Sequence, residues 1–162
     1  MRFDIVPVNG SYSGIDRALM PDDFLTPETK PYYDSLLASY FDYLDLMCNP
    51  FDILSYDEKL FHMVQKLYRD FCAHNVACEL IAFDVAPIDY VHGVPVELLG
   101  IDIVHDMAES LICCNYQIED SVSRCLNGVG LFTNPEDASN AIDLLSANDV
   151  IWKLCWVYKI II

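Results

Sequence analysis

The chain has 162 residues, enough for one domain that buries a full core without help from a partner. Its 25 acidic residues against nine basic ones give a formal net charge of −16, well beyond the magnitude of about 2–8 recommended for a soluble small domain. Because 54% of the residues are hydrophobic, a disordered acidic tail is excluded, and the negative field disfavours direct contact with nucleic acid or an anionic membrane.

Hydrophobic periodicity and turn signals divide the chain into strands and helices. The predicted elements are, in chain order, a strand over 1–8, a helix from 26 to about 48, a helix from 55 to about 74, strands over 76–85 and 95–104, short helices over 106–114 and 118–126, a helix from 134 to about 146, and a strand over 150–161. We therefore predict one α/β (α+β) domain over residues 1–162, a central sheet with helices packed against it. The order of the strands stays open.

Local signals mark three of these elements. Ser55 and Glu58 form a capping box, in which each side chain satisfies a free backbone N–H at the start of a helix. Asn134 places a capping side chain directly before Pro135 at the first helical position. Gly100, inside the strand over 95–104, predicts a bulge or a close approach of another backbone segment.

The cysteines and the N-terminal segment predict a cytoplasmic protein. The seven cysteines form an odd set without a CxxC motif, which is typical of reduced, buried thiols that act as small hydrophobic side chains. Residues 1–7 contain no apolar run long enough for the core of a signal peptide. Residues 150–162 are the most apolar segment, but they are too few to span a bilayer and include Lys153 and Lys159.

The acidic residues concentrate in two stretches without lysine or arginine, 31–58 and 70–123, and the longer one holds ten acids. Acids on a folded surface speed association with a basic protein, and nearby aromatic side chains anchor the contact. The alternative is a solvated face that only aids solubility. The candidate partner-binding residues are Asp84, Asp89, Tyr90, Glu97, Asp102, His105, Asp106, Glu109, Tyr116, Glu119 and Asp120.

A catalytic site is the main competing hypothesis. His105 lies between Asp102 and Asp106, and a histidine flanked by acids is a candidate general base or metal ligand. Cys113 and Cys114 follow closely enough to suggest a nucleophile, giving a small hydrolase or transferase. Neither pattern has the spacing of a known metal or nucleophile motif, so we predict no catalytic residue, no metal site and no cofactor.

Short motifs in the second half of the chain carry a resemblance to a known group of proteins. They are LLGIDIV over 98–104, ESLI over 109–112, LNGVGLF over 126–132, an acid- and alanine-containing helix over 135–146, and an aromatic strand over 152–158. Over roughly residues 95–160 the chain resembles small bacterial immunity proteins of contact-dependent growth inhibition and related polymorphic toxin systems.

The resemblance implies a cytosolic inhibitor that binds the toxic domain of its cognate effector, often a nuclease. Immunity proteins share no active site, so the resemblance transfers no catalytic residue. A carboxylate-rich surface suits this role, because a nuclease presents a basic groove to its substrate. A DNA-mimicking decoy that inhibits a DNA-binding protein is a third hypothesis, and it requires acids at phosphate-like spacing.

Overall fold

The structure is a computed structural model that describes residues 2–8, 26–31, 34–35, 58–105, 109–110, 120–145 and 151–162. Its strands are β1 (Arg2–Pro7), β2 (Cys78–Asp84), β3 (Tyr90–Val91), β4 (Val94–His105), β5 (Glu109–Ser110) and β6 (Trp152–Ile160). Its helices are α1 (Glu58–Ala73), α2 (Asp120–Ser123) and α3 (Pro135–Leu145), and residues 30–31 and 34–35 are also helical. The predicted α/β (α+β) class is confirmed.

The strands form one antiparallel sheet in the order β1-β2-β6-β4-β3, and β5 pairs with the far end of β4. β6 therefore lies between β2 and β4, although it comes last along the chain. Its alternating side chains form two faces, as the sequence predicts. The helix face of β6 carries Trp152, Leu154, Trp156, Tyr158 and Ile160, and the opposite face carries Lys153, Cys155, Val157 and Lys159.

The helices α1 and α3 pack against different ends of the helix face. Helix α1 buries Phe61, Leu67 and Phe71 against β1, β2 and the end of β6, because these residues recur at helical spacing on one side. Helix α3 contributes Ala138 and Ala141 to a second cluster on β4 and the start of β6. Small side chains let α3 lie close to the sheet, so the two helices together cover both ends of this face.

Two predicted helix starts agree with the structure. The Asn134 side chain accepts a hydrogen bond from the Asp137 N–H at 2.8 Å, which is the predicted cap of α3. Thr26 and Thr29 bond to each other at the start of the predicted helix over 26–48, of which only 30–31 and 34–35 are described as helical. Ser55, the other half of the predicted capping box, lies outside the described residues.

The prediction of a helix over 106–114 is wrong at 109–110. These two residues form β5, where Glu109 pairs with His105 and Ser110 pairs with Val104. The physical reason is tertiary, because β5 completes a hairpin with β4, and the Ser110 side chain bonds to a buried group on β4. The predicted loop over 87–93 also contains a strand, since β3 pairs with the start of β4. Of the predicted short helix over 118–126, residues Asp120–Ser123 form α2, whereas 124–126 are a turn and an isolated bridge and are not helical.

The predicted irregularity at Gly100 is present. Leu98 pairs with Tyr158 and Gly100 with the preceding residue of β6, Val157, so Leu99 is an extra residue in β4. Within the described part of the chain, no helix is long and apolar enough to cross a membrane.

Candidate functional site

The motif residues of the second half meet at the bulge in β4. Ile101 and Phe132 exchange two backbone hydrogen bonds, at 2.9 Å and 2.8 Å. Gly100 allows this approach, because a Cβ there would lie 2.5 Å from the Leu131 Cβ and 2.9 Å from the Phe132 carbonyl oxygen. A side chain at position 100 would therefore force the loop away from the strand.

Asn127 holds the same loop in place with both ends of its amide. Its Nδ2 donates to the Leu99 carbonyl at 2.8 Å, while its Oδ1 accepts the N–H groups of Val129 and Leu131 at 3.1 Å each. The bulged residue Leu99 thus supplies the acceptor that joins strand to loop. We call this arrangement of Gly100, Asn127, Leu131 and Phe132 the loop clamp. It explains the motif as a structural element rather than as a reactive site.

Asp102, the central acid of the candidate site, lies in the interior. It is 0% exposed, and its Oδ1 accepts hydrogen bonds at 2.8 Å from the Ile103 N–H and from the Ser110 hydroxyl. A buried carboxylate requires such partners, and here they come from β4 itself and from β5. Asp102 therefore does not belong to the surface that a partner meets.

Asp84 is the second candidate acid that the fold places inside. It is 1% exposed, and its Oδ1 accepts the Ala86 N–H at 3.2 Å, which shapes the turn after β2. Tyr158 completes this turn, because its hydroxyl accepts the Ile88 N–H at 3.0 Å. Burial raises the pKa of Tyr158 above its ordinary value of 10.0, so the hydroxyl keeps its proton at neutral pH.

Of the residues in the competing catalytic hypothesis, Asp102 and His105 lie in the described part of the chain, and the strand register separates these two. His105 pairs with Trp152 and Asp102 with Cys155, so the two residues occupy positions on opposite faces of the sheet. Glu109 lies opposite His105 in β5, and Asp120 begins α2. The remaining candidates, Asp106, Tyr116 and Glu119, lie outside the described residues, as do Cys113 and Cys114.

Three candidates are exposed at the opposite end of β4. Tyr90 in β3 is 65% exposed and pairs with Pro95, while Asp89 and Glu97 on either side of this hairpin are also exposed. We call Asp89, Tyr90 and Glu97 the hairpin surface.

The hairpin surface stands on a well-defined backbone. The turn residues His92 and Gly93 have φ values of 46° and 79°, the positive pair that a tight type I′ hairpin turn requires. The His92 ring stacks on Phe61 of α1, with ring centroids 5.1 Å apart. The turn is therefore fixed to the core beneath it.

Near the hairpin surface, the negative charge of Glu79 is compensated by the positive charge of Lys159. Lys159 pairs in register with Glu97, but its Nζ bonds to the Glu79 Oε1 at 2.5 Å on the neighbouring strand. The Glu79–Lys159 pair is close to neutral, so Lys159 is engaged by Glu79 on the neighbouring strand and not by Glu97. Sequence reasoning did not identify this pair, because strand order decides which acid meets Lys159.

The described residues also form a small groove between α2 and α3, with a volume of about 170 Å³. Its lining consists of Val122, Cys125, Asp137, Asn140, Ala141 and Leu144. None of the candidate site residues lines it, and it is smaller than the roughly 300–1,000 Å³ of ordinary ligand pockets. Among the residues that the structure describes, no three metal-ligating side chains cluster.

Comparisons with protein-family models, curated proteins and solved structures found no match to this chain. The resemblance to immunity proteins therefore depends on the motif residues alone. Those residues form the loop clamp and the Asp102–Ser110 pair, both of which are structural. They bear on how this chain folds, whereas its function has to be inferred from its exposed surface.

Proposed function

We propose that this chain is a cytosolic immunity protein that binds and neutralises a basic toxin domain, a nuclease in the simplest case. The observation that carries the proposal is the hairpin surface, where Tyr90 is 65% exposed and the exposed acids Asp89 and Glu97 lie nearby, one next to it in the chain and the other two residues beyond its partner Pro95. Exposed carboxylates on the same hairpin as an exposed aromatic ring suit a partner surface that is rich in lysine and arginine.

The charge of the whole chain supports the same proposal. A net charge of −16 attracts a basic protein at long range and repels the nucleic acid that a nuclease would otherwise bind. A bound acidic protein also neutralises the cationic groove that a nuclease uses for its substrate. Inhibition by occlusion needs no catalytic group on the inhibitor, in keeping with an interior position for Asp102.

The proposal predicts that a toxin domain is encoded beside this chain, and the test uses that domain, purified, with binding rates measured at low and high salt. We expect tight binding by the wild type and protection of cells that express the toxin. Replacing both Asp89 and Glu97 with lysine should lower the association rate about tenfold or more and reduce its salt dependence. The sequence alone directs charge reversal to Asp102, Asp106 and Glu109, but reversal of the buried Asp102 would disturb folding.

The matched control replaces Glu136 and Asp143, two exposed acids of α3, with lysine. This variant changes the net charge by the same amount as the hairpin variant but leaves the hairpin intact. Its association rate should stay within about threefold of wild type. A wild-type chain that neither binds the neighbouring toxin domain nor protects cells from it would overturn the proposal.

A further inference from the structure

Two cysteines meet where the chain turns from α1 into β2. Cys72 lies in the last turn of α1 and is exposed, whereas Cys78 begins β2 and is 6% exposed. The Cys72 thiol forms hydrogen bonds with the Cys78 thiol and with the hydroxyl of Tyr68, one helical turn earlier. We call Cys72 and Cys78 the thiol pair.

A tight turn holds the thiol pair together. The Val76 N–H donates to the Phe71 carbonyl at 3.0 Å, and the Asn75 N–H donates to the Cys72 carbonyl at 3.0 Å. With Asn75 at a φ of 60°, these bonds form a Schellman motif, which ends α1 and reverses the chain. β2 therefore starts beside the end of α1, and the Cys78 side chain packs in the same buried cluster as Phe71.

Cys72 is open to water, and its two neighbours hold their protons. Burial, together with the contact to Cys72, raises the pKa of the Cys78 thiol to about 12. Burial and the hydrogen bond to Cys72 raise the pKa of the Tyr68 hydroxyl to about 12 as well. Both groups therefore stay protonated at neutral pH and donate hydrogen bonds to the Cys72 sulfur. Cys72 is the thiol of the pair that a reagent in solvent reaches first.

We propose that the thiol pair is an oxidation site, at which a small-molecule disulfide such as oxidised glutathione joins Cys72 to Cys78. The reaction goes beyond the function proposed above, because it needs no partner protein. A protein disulfide requires Cα atoms within about 7 Å of each other, and two thiols that are already in contact approach that geometry. Cys72 also lies at a helix end, where the backbone adjusts most readily.

The reaction consists of two thiol–disulfide exchanges. Cys72 loses its proton to water, and its sulfur attacks one sulfur of oxidised glutathione, which breaks that S–S bond and releases one glutathione. Cys78 then loses its proton, and its sulfur attacks the Cys72 sulfur and releases the second glutathione. Two protein thiols are thus oxidised to one disulfide, and the small disulfide is reduced to two thiols. Because Cys78 holds its proton tightly, the second exchange is the slower one.

The experiment incubates the folded chain with oxidised glutathione, alkylates the remaining thiols in denaturant, and cleaves after aspartate and glutamate. Cleavage after Asp70 and Glu79 releases residues 71–79, which contain the thiol pair and no other cysteine. In mass spectrometry this peptide should escape alkylation and become two hydrogens lighter than its reduced form. A form that carries one glutathione should appear first and then decline.

Cys155 provides the control within the same chain. It is 0% exposed and lies on the face of β6 that is turned away from α1. Cleavage after Asp149 releases residues 150–162, in which Cys155 is the one cysteine. Because a reagent reaches a buried thiol when the chain unfolds, this peptide should be oxidised about tenfold or more slowly than residues 71–79.

Single substitutions separate the roles of the two thiols. Cys72→Ser removes the thiol that meets the reagent, so oxidation of Cys78 should slow about tenfold or more. Cys78→Ser should retain the first exchange and stop with glutathione attached to Cys72. Cys78→Ala repeats this test without placing a hydroxyl in the core.

Four results would overturn the oxidation site. Two of them are a wild type that carries glutathione on Cys72 without forming the internal disulfide, and a Cys72→Ser variant in which Cys78 is oxidised as fast as in wild type. A third is a disulfide from Cys72 to a second molecule, which a non-reducing gel detects. The fourth is oxidation of Cys155 at the rate of the thiol pair, because the reaction would then belong to the unfolded chain.

Discussion

Two carboxylates on one strand, Glu97 and Asp102, have opposite environments. Residues five apart on a regular strand lie on opposite faces. Here the extra residue Leu99 shifts the alternation by one position, so Glu97 and Asp102 face the same side of β4. Glu97 is exposed beside the hairpin, whereas Asp102 is 0% exposed and bonded to Ser110. In an acid-rich chain, position along the strand therefore decides whether a carboxylate stabilises the fold or is available to a partner.

The two ends of β4 differ in the same way. At the far end of the strand, Gly100 and Asn127 form the loop clamp, and Asp102 bonds to Ser110, so the polar groups are satisfied within the chain. At the near end, Tyr90 and Glu97 are presented to solvent on a tight hairpin. Substitutions at the far end should change stability, and substitutions at the near end should change binding.

The largest effect on stability is expected for Gly100→Ala. The new Cβ would collide with the Leu131 Cβ and the Phe132 carbonyl, and neither lies at the end of a flexible side chain. We expect a loss of about 3 kcal/mol in the free energy of unfolding, measured in urea. Gly128→Ala is the control, since no atom lies within 4 Å of its added Cβ. Equal stability of the two variants would show that the loop clamp does not constrain the fold.

Asp102→Ala should have the next largest effect. It leaves the Ser110 hydroxyl and the Ile103 N–H without their acceptor in a buried place, which should cost about 2 kcal/mol in urea unfolding. Asp102→Asn keeps an acceptor oxygen and should lose less. Glu97→Ala is the comparison at the near end, and it should unfold within about 0.5 kcal/mol of wild type. A similar loss at both positions would remove the distinction between them.

Tyr158→Phe tests the link between the core and the loop that precedes the hairpin. It removes the hydrogen bond with the Ile88 N–H and should cost about 1 kcal/mol. Burial raises the pKa of Tyr158, so the folded chain holds this proton more tightly than the unfolded chain does. The contribution of the Tyr158 hydroxyl to the free energy of unfolding is complete below pH 10 and is lost as the pH rises through the higher pKa of the folded state.

The pH dependence supplies the readout for Tyr158. The difference in unfolding free energy between wild type and Tyr158→Phe should shrink as the pH rises above 10.0. Measuring the difference cancels the titration of all other groups that the two chains share. A difference that stays constant through this range would mean that Tyr158 is not kept protonated by the fold.

The smallest effect on stability is expected for the double replacement of Asp89 and Glu97 with lysine. Both acids are exposed, so the free energy of unfolding should change by no more than about 0.5 kcal/mol. The same variant should show the large fall in association rate proposed above. A variant that unfolds readily would place these acids with Asp102 as structural residues.

Local signals in the sequence predicted much of this fold. Asn134 before Pro135 predicted the start of α3, and Gly100 predicted the bulge, because a cap and a glycine act through their immediate neighbours. The strand β5 could not be predicted in this way, since a two-residue strand exists only through its pairing with β4. Strand order stayed open for the same reason.

The candidate site residues also differ in how far the sequence could predict their environment. Asp89, Tyr90 and Glu97 were predicted on the surface, and the structure exposes them. The burial of Asp84 and Asp102 depends on their pairing with β6, which lies far away in the sequence, and Asp102 also bonds to Ser110 of the unpredicted strand β5. A sequence pattern gives the charge of an aspartate, but tertiary contacts decide whether water reaches it.

The central position of β6 has a consequence for how the chain is made. Its partners β2 and β4 emerge from the ribosome first, and neither can complete its pairing until the last strand follows. At synthesis rates of about 5–20 residues per second, that wait lasts several seconds. During this interval β2 and β4 have no partner between them, and unpaired apolar strand edges favour aggregation of the nascent chain.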